Sequence, residues 1–318
     1  MRLAASVGVE ARTSATRSNS GESFSCPIAL TIGVSHEAAR RTSDSSLKGS
    51  KSSKGRALQN LINIEQDDKV KAFLVTEDLK DEDYVNSHYI IMATKKGQVK
   101  KTSLEQYSRP RTNGINAITI REDDELLEAK LTTGDSQVML ALRSGKSIRF
   151  EESKTRPMGR NASGVRGITL ANKKDEVVGM IAVDDLESNI LVVSENGYGK
   201  RSDLEDYRIT NRGGKGVKTI NVTEKTGGLV SIKNVTDEDD LMIINKSGIT
   251  IRLAVADLRI MGRATQGVKL INIKDNDSIA AVAKVAHEDE VEIVDEIENG
   301  TEIENNENNN NEENTNQE

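Results

Sequence analysis

The 318-residue chain has no tryptophan, one cysteine and three prolines, and aromatic residues make up 3% of it. A single thiol, Cys26, excludes an internal disulfide framework and fits a reducing compartment. Nothing beside it in the sequence supplies a base, so it is read as inert. No apolar run approaches the roughly 20 residues that span a bilayer. Residues 1–5 carry an arginine and no sustained apolar stretch, so no secretory signal is expected. With so few rings available, a core must come from Ile, Val, Leu and Met on short strands.

Catalytic and metal-binding patterns are missing too. His36, His88 and His287 are scattered and there are no paired cysteines, which argues against a zinc-type centre. The stretch Gly197-Tyr198-Gly199-Lys200-Arg201-Ser202 contains a Gly-Lys pair, but Ser194 stands where a P-loop needs its first glycine. The acidic run Asp237-Glu238-Asp239-Asp240 has neither the spacing nor the glycine of an EF-hand loop and reads as a solvated turn.

Charge is unevenly distributed. Residues 287–318 hold thirteen acids and no Lys or Arg, so the net −7 of the chain leaves +6 on residues 1–286. About half of that positive charge belongs to residues 54–286. A basic body with an acidic tail points to a polyanion partner, with the tail as a competitor for the same surface. Residues 1–53, rich in Ser, Arg, Ala and Thr, show no hydrophobic period beyond residues 28–34 and are expected to be disordered or out-of-frame. The Glu- and Asn-rich tail, 287–318, is expected to stay disordered because it cannot bury enough apolar area to offset its ordering entropy.

What the sequence does contain is a repeat. Four apolar runs end in glycine turns at Gly97, Gly145, Gly197 and Gly248, spaced by 48, 52 and 51 residues. A second landmark, Gly114-Ile115, Gly164-Val165, Gly216-Val217 and Gly267-Val268, recurs at 50, 52 and 51. Each second glycine is followed by a β-branched strand, a polar turn and another strand, as in 217–222 then 228–235, and 268–273 then 279–285. Gly55 opens a further half-unit. Short β-branched runs punctuated by Gly, Asn and Asp, at a period near 50, predict an all-β architecture of radial blades or a β solenoid.

Cations recur with the glycines. Four positions after each turn glycine stands Lys101, Arg149, Arg201 or Arg252, with Lys100 and Lys200 beside two of them. Arg111, Arg160, Arg212 and Arg263 precede the second glycines, with Arg109 close by. Equivalent positions on stacked repeats fall on equivalent faces, so these side chains are expected to form two rows matching the spaced charge of a DNA backbone. The loop Asn211-Arg212-Gly213-Gly214-Lys215-Gly216-Val217 is expected to bring backbone N–H groups close to phosphate oxygens.

The strings IMATKKGQVKKT, GRNASGVRGI, ENGYGKRS and GRATQGVKLI resemble, in order, the blades of the C-terminal domain of the DNA gyrase A protein, across residues 54–285. The loop 211–217 resembles that family's glycine-arginine box, although in a later blade than the family's main one. The resemblance implies a β-pinwheel of about four complete blades plus part of another, wrapping and bending double-stranded DNA without reading its sequence. It implies a cytoplasmic, nucleoid-associated heterotetramer that also contains a second gyrase A protein together with gyrase B. ATP and Mg2+ would be used by the full gyrase complex, with no cofactor in this chain. The first blade and half of the second are expected to be missing through truncation, with foreign sequence joined near residues 49–54. The breakage-reunion domain with its catalytic tyrosine is absent from the chain as read, and Tyr84, Tyr89, Tyr107, Tyr198 and Tyr207 all fall in blade segments. Two alternatives remain at this point: the corresponding domain of topoisomerase IV, and a β-propeller scaffold that binds proteins instead of DNA.

Overall fold

The computed structural model describes residues 28–34, 69–109, 115–274 and 277–287. The chain divides into two units, residues 1–287 and 288–318. In chain order the first unit holds β1 (Ile28–Val34), β2 (Lys69–Thr76) and a six-residue helix α1 (Glu82–Ser87). The first repeat follows as β3 (Tyr89–Thr94), β4 (Gln98–Ser103) and β5 (Leu126–Thr132). The second comprises β6 (Gln137–Leu142), β7 (Lys146–Glu151), β8 (Val165–Arg166) and β9 (Val177–Val183), and the third β10 (Asn189–Ser194), β11 (Tyr198–Asp203), β12 (Val217–Lys218) and β13 (Leu229–Val235). The fourth comprises β14 (Asp239–Asn245), β15 (Thr250–Ala254), β16 (Val268–Lys269) and β17 (Ile279–Ala286).

Each repeat becomes an antiparallel blade, and neighbouring repeats exchange a strand. The sheet orders are β5-β3-β4-β8, β12-β7-β6-β9 and β13-β10-β11-β16, while the fourth blade is the three-stranded β15-β14-β17. A short strand from one repeat therefore forms the outer edge of the blade before it. The last strands β5, β9, β13 and β17 pack on one another in succession, with β2 against β5, and so make the inner side. β1 pairs with β2 in parallel, so residues 28–34 form a strand within a segment expected to be disordered. The rest of 1–53 and the tail from 288 lie outside the described residues.

The exchanged strands are two residues long, much shorter than the runs expected at 217–222 and 268–273. Beyond Lys218 the ladder stops: the Gly145 carbonyl takes the N–H groups of both Thr219 (2.8 Å) and Ile220 (3.3 Å), and Asn221 N–H turns to the Thr265 carbonyl of the next repeat at 3.1 Å. The glycine that opens each exchanged strand is sterically required. Gly164, Gly216 and Gly267 have φ of 82°, 71° and 83°. A Cβ at these positions would lie 2.5 Å from the carbonyl oxygens of Val99, Ser147 and Gly199 in the preceding blade.

Blades stack face to face, so strands are buried on both sides. Ile90 and Met92 of β3 enter the core shared with β2 and α1, while Ile91 and Ala93 enter the core shared with the second blade. β6 and β10 divide their residues in the same way. This explains unbroken apolar runs where a sheet with one wet face would alternate.

The same stacking buries five of the cations expected to line a phosphate-binding row. Lys100, Lys101, Arg149, Lys200 and Arg201 are all buried, none more than 9% exposed, and each reaches across to the following blade. Lys101 Nζ pairs with Glu152 Oε1 at 2.8 Å and lies 4.0 Å from the centre of the Tyr89 ring. Arg149 donates to the Leu204 and Tyr207 carbonyls at 2.7 and 3.0 Å and to Gln137. Arg201 pairs with Asp237 and donates to the Val255 carbonyl. Lys100 donates to the carbonyls of Ala117 and Arg160, and Lys200 to Gly262 O and Thr265 Oγ1. They are staples between blades, with their charged ends turned into the protein. Arg252 is the exception that fits the rule: no blade follows it among the described residues, its side chain is 45% exposed, and it pairs with Asp240 of its own blade.

Burial, followed by the nearby Arg160 charge, pulls the Lys100 pKa from 10.5 down to about 7, and burial brings Lys200 to about 8. Below these values the folded state must hold buried ammonium groups. Because the unfolded chain binds more protons between about pH 7 and 10.4, stability should rise with pH across that window. Chemical denaturation at pH 6 and 9 should show the rise, and Lys100→Met should flatten it.

Glu152 sits seven residues after its turn glycine, where the other repeats carry Leu104, Leu204 and Val255, and it is fully buried. Glu152→Leu alone should cost about 3–5 kcal/mol, because it strands the Lys101 charge. The double variant Lys101→Met with Glu152→Leu should recover most of that loss in a denaturant-unfolding cycle.

Candidate nucleic-acid interface

Since strand bodies face neighbouring blades, solvent-facing groups come from the exchanged outer strands and the turns leading to them. Each outer strand ends in an exposed cation: Arg166 on β8, Lys218 on β12 and Lys269 on β16. They stand two residues after Gly164, Gly216 and Gly267, so the signal lay one residue beyond the Gly-Val landmark. In the ladder Lys218 lies directly opposite Lys146, a like-charge pairing that is unfavourable in a sheet unless an anion lies nearby.

A second row precedes the outer strands. Arg156, Arg208 and Arg259 are exposed and stand 52 and 51 residues apart, each eight before its second glycine. Arg109, also exposed, holds a similar place in the first repeat. Backbone bridges fix these turns against the preceding blade, pairing Pro157 with Lys101, Ile209 with Arg149 and Ile260 with Arg201. The buried staples thus hold the segments that present the exposed arginines.

The remaining expected residues are divided. Arg212 and Arg263 are half-buried. Arg212 donates to the Lys154 and Arg166 carbonyls at 2.9 and 3.1 Å, and Arg263 to the Lys218 carbonyl at 2.9 Å. Both brace the outer strands beside Arg166 and Lys218. Arg160 is half-buried, and Arg111 lies outside the described residues.

In the glycine loop, Gly213 N–H donates to the Gly167 carbonyl, while the Gly213 and Gly214 carbonyls accept from Thr169 Oγ1 and N–H. That part of the loop is committed to docking on the preceding repeat. Lys215 and Gly214 are exposed, and a shallow cavity of about 270 Å³ lies beside them with Ser147, Arg208, Asn211 and Gly216 in its wall.

Two of the tyrosines are core residues. Tyr107 and Tyr207 are buried, with hydroxyls on the Ala117 carbonyl and Thr219 Oγ1, and burial pushes the Tyr107 hydroxyl up to about 12. Among the described residues no three His, Cys, Asp or Glu side chains gather as a metal site, and no helix is long and apolar enough to cross a membrane.

Comparison with known proteins agrees with this architecture. The family model described as the DNA gyrase C-terminal domain, beta-propeller, matches residues 88–133, 138–184, 188–236 and 239–286, one match per blade. The DNA gyrase A protein of Staphylococcus aureus (strain NCTC 8325 / PS 47) is 46% identical over 244 residues, and that of strain MRSA252 is 45% identical over the same length. Each alignment covers 76% of this chain and 27% of the relative, so the chain spans about a quarter of the length of the curated relatives it matches. A solved DNA gyrase A C-terminal domain superimposes with a TM-score of 0.65 at 20% identity, covering 87% of this chain and 91% of that one. The C-terminal domain of a DNA topoisomerase IV gives 0.64 at 22% identity over 73% and 71%. With four matched repeats folded as strand-exchanging blades of a β-pinwheel, the chain belongs to the DNA gyrase C-terminal domain β-propeller family.

Proposed function

We infer that this domain binds duplex DNA along the outer edges of its blades and bends it, as the non-catalytic arm of an ATP-dependent type II topoisomerase. The observation that carries the reading is the recurrence of exposed cations in register on the outer side: Arg156, Arg208 and Arg259 in one row and Arg166, Lys218 and Lys269 in the other. Packing needs the buried staples but not these. Phosphate contacts of this kind position a duplex without reading its bases. A duplex touching several blades in turn must curve, at a cost on the order of 1–6 kcal/mol for a 40–90° bend, so the contacts have to be distributed.

In this reading Arg109, Lys215 and Gly214 extend the track, with Arg212, Gly213, Gly216 and Arg263 holding its shape and Arg252 at its open end. The double-stranded DNA would be presented to an assembly with gyrase B and a second gyrase A protein, where ATP and Mg2+ drive negative supercoiling in the cytoplasm, on the nucleoid. The 46% identity to the gyrase A protein over the repeats favours gyrase over topoisomerase IV.

If about eight phosphates are neutralised, log affinity should fall with log salt at a slope near −7, measured by fluorescence anisotropy with a duplex of random sequence. Replacing Arg208, Lys218 or Lys269 by Ala should each reduce that slope by about 1 without shifting the melting temperature. Lys101→Met should do the reverse, lowering stability and leaving the slope unchanged. Binding indifferent to salt would overturn the proposal.

A further inference from the structure

The exposed cations of the second row are each followed by an apolar residue that is also exposed. Ile209 is 47% and Ile260 46% exposed, directly after Arg208 and Arg259, and in the second repeat the same place is held by Pro157, exposed after Arg156. A single exposed isoleucine needs no explanation. Recurrence at one register does, because in these turns the backbone bridges the preceding blade while nearly half of each isoleucine stays in solvent. Pro157, Ile209 and Ile260 each form a parallel bridge to a staple residue. The next N–H in each case, from Met158, Thr210 and Met261, donates to the staple carbonyl at 2.8, 2.9 and 2.8 Å. The outcome is an apolar projection beside a guanidinium at the edges of three successive blades, on the outer side.

We propose that Pro157, Ile209 and Ile260 act as wedges that press between base steps from the minor groove, so that the duplex bends in discrete kinks at each blade. The proposal rests on the rim reading above. Ile and Pro are among the side chains that unstack base steps in this way, and a neighbouring Arg suits the negative potential of a narrowed minor groove. Charged neighbours, with an exposed arginine directly before each projection, argue against an apolar protein partner, whose interface would need apolar neighbours around each isoleucine. Pyrimidine–purine steps unstack most readily, so TA or CA steps repeated at the blade spacing would be preferred although no base edge is read.

The test uses the full 318-residue chain and a duplex carrying 2-aminopurine beside TA steps. The triple variant Pro157→Ser, Ile209→Ser and Ile260→Ser is compared with Leu186→Ser, which alters an equally exposed but unrepeated apolar residue, 59% exposed. Wild type and Leu186→Ser should raise 2-aminopurine fluorescence and shorten the end-to-end distance by energy transfer. The triple variant should lose the fluorescence rise and most of the bend, bind up to about tenfold more weakly, and keep the salt slope and melting temperature. Unchanged fluorescence and bend in the triple variant, with the salt slope intact, would overturn the wedges and leave the rim reading standing. Absence of salt-dependent binding by wild type would overturn both.

Discussion

Face-to-face stacking of blades is the constraint from which the other features follow. A blade sandwiched between neighbours has no wet face, so the charged groups on its strands need partners in the protein. The cations of β4, β7 and β11 meet that demand by reaching forward to carbonyls and carboxylates of the following blade. The exchanged strands work in the opposite direction, since β8, β12 and β16 each complete the blade before their own. Neighbouring repeats are thus linked twice, by side chains going forward and by backbone coming back. The glycine that opens each exchanged strand lets two backbones approach closer than any side chain would allow.

This arrangement separates two populations of positive charge that look alike on paper. Lys101, Arg149 and Arg201 are desolvated, and what they contribute is alignment of one blade on the next. Arg156, Arg208 and Arg259, with Arg166, Lys218 and Lys269, stay exposed to solvent on the proposed DNA track. The two are coupled in space, because the backbone of each staple is bridged to the residue after an exposed arginine. Interior packing therefore sets where the surface charge stands. Because that bridge is made by the backbone, losing a staple's charge weakens the packing of two blades without moving the rim.

The candidate site is accordingly a surface track and not a cleft. Its parts come from the edge of each blade, where strand exchange places one short strand per repeat, and its length grows with the number of repeats. Membership of the gyrase C-terminal domain family is consistent with such a track, since the family model matches one blade after another. Chemistry carried by the remainder of the curated relatives lies outside the described residues.

The sequence alone determined the repeat, its period, the β character of its runs and the places of the turn glycines, because these depend on local backbone geometry and short-range pattern. It also marked which cations recur. It did not separate buried from exposed members of that set. In a sheet with one wet face, Lys101 and its equivalents would point outward on alternation alone. Only the stacking of blades turns those positions inward, and only strand exchange carries Arg166, Lys218 and Lys269 to the outer edge. Both are long-range events, joining residues about 50 to 70 apart, and a local pattern does not report them. Glu152 shows the same limit: as a lone acid in a leucine position it looks like a defect, until the tertiary structure sets Lys101 of the preceding blade against it.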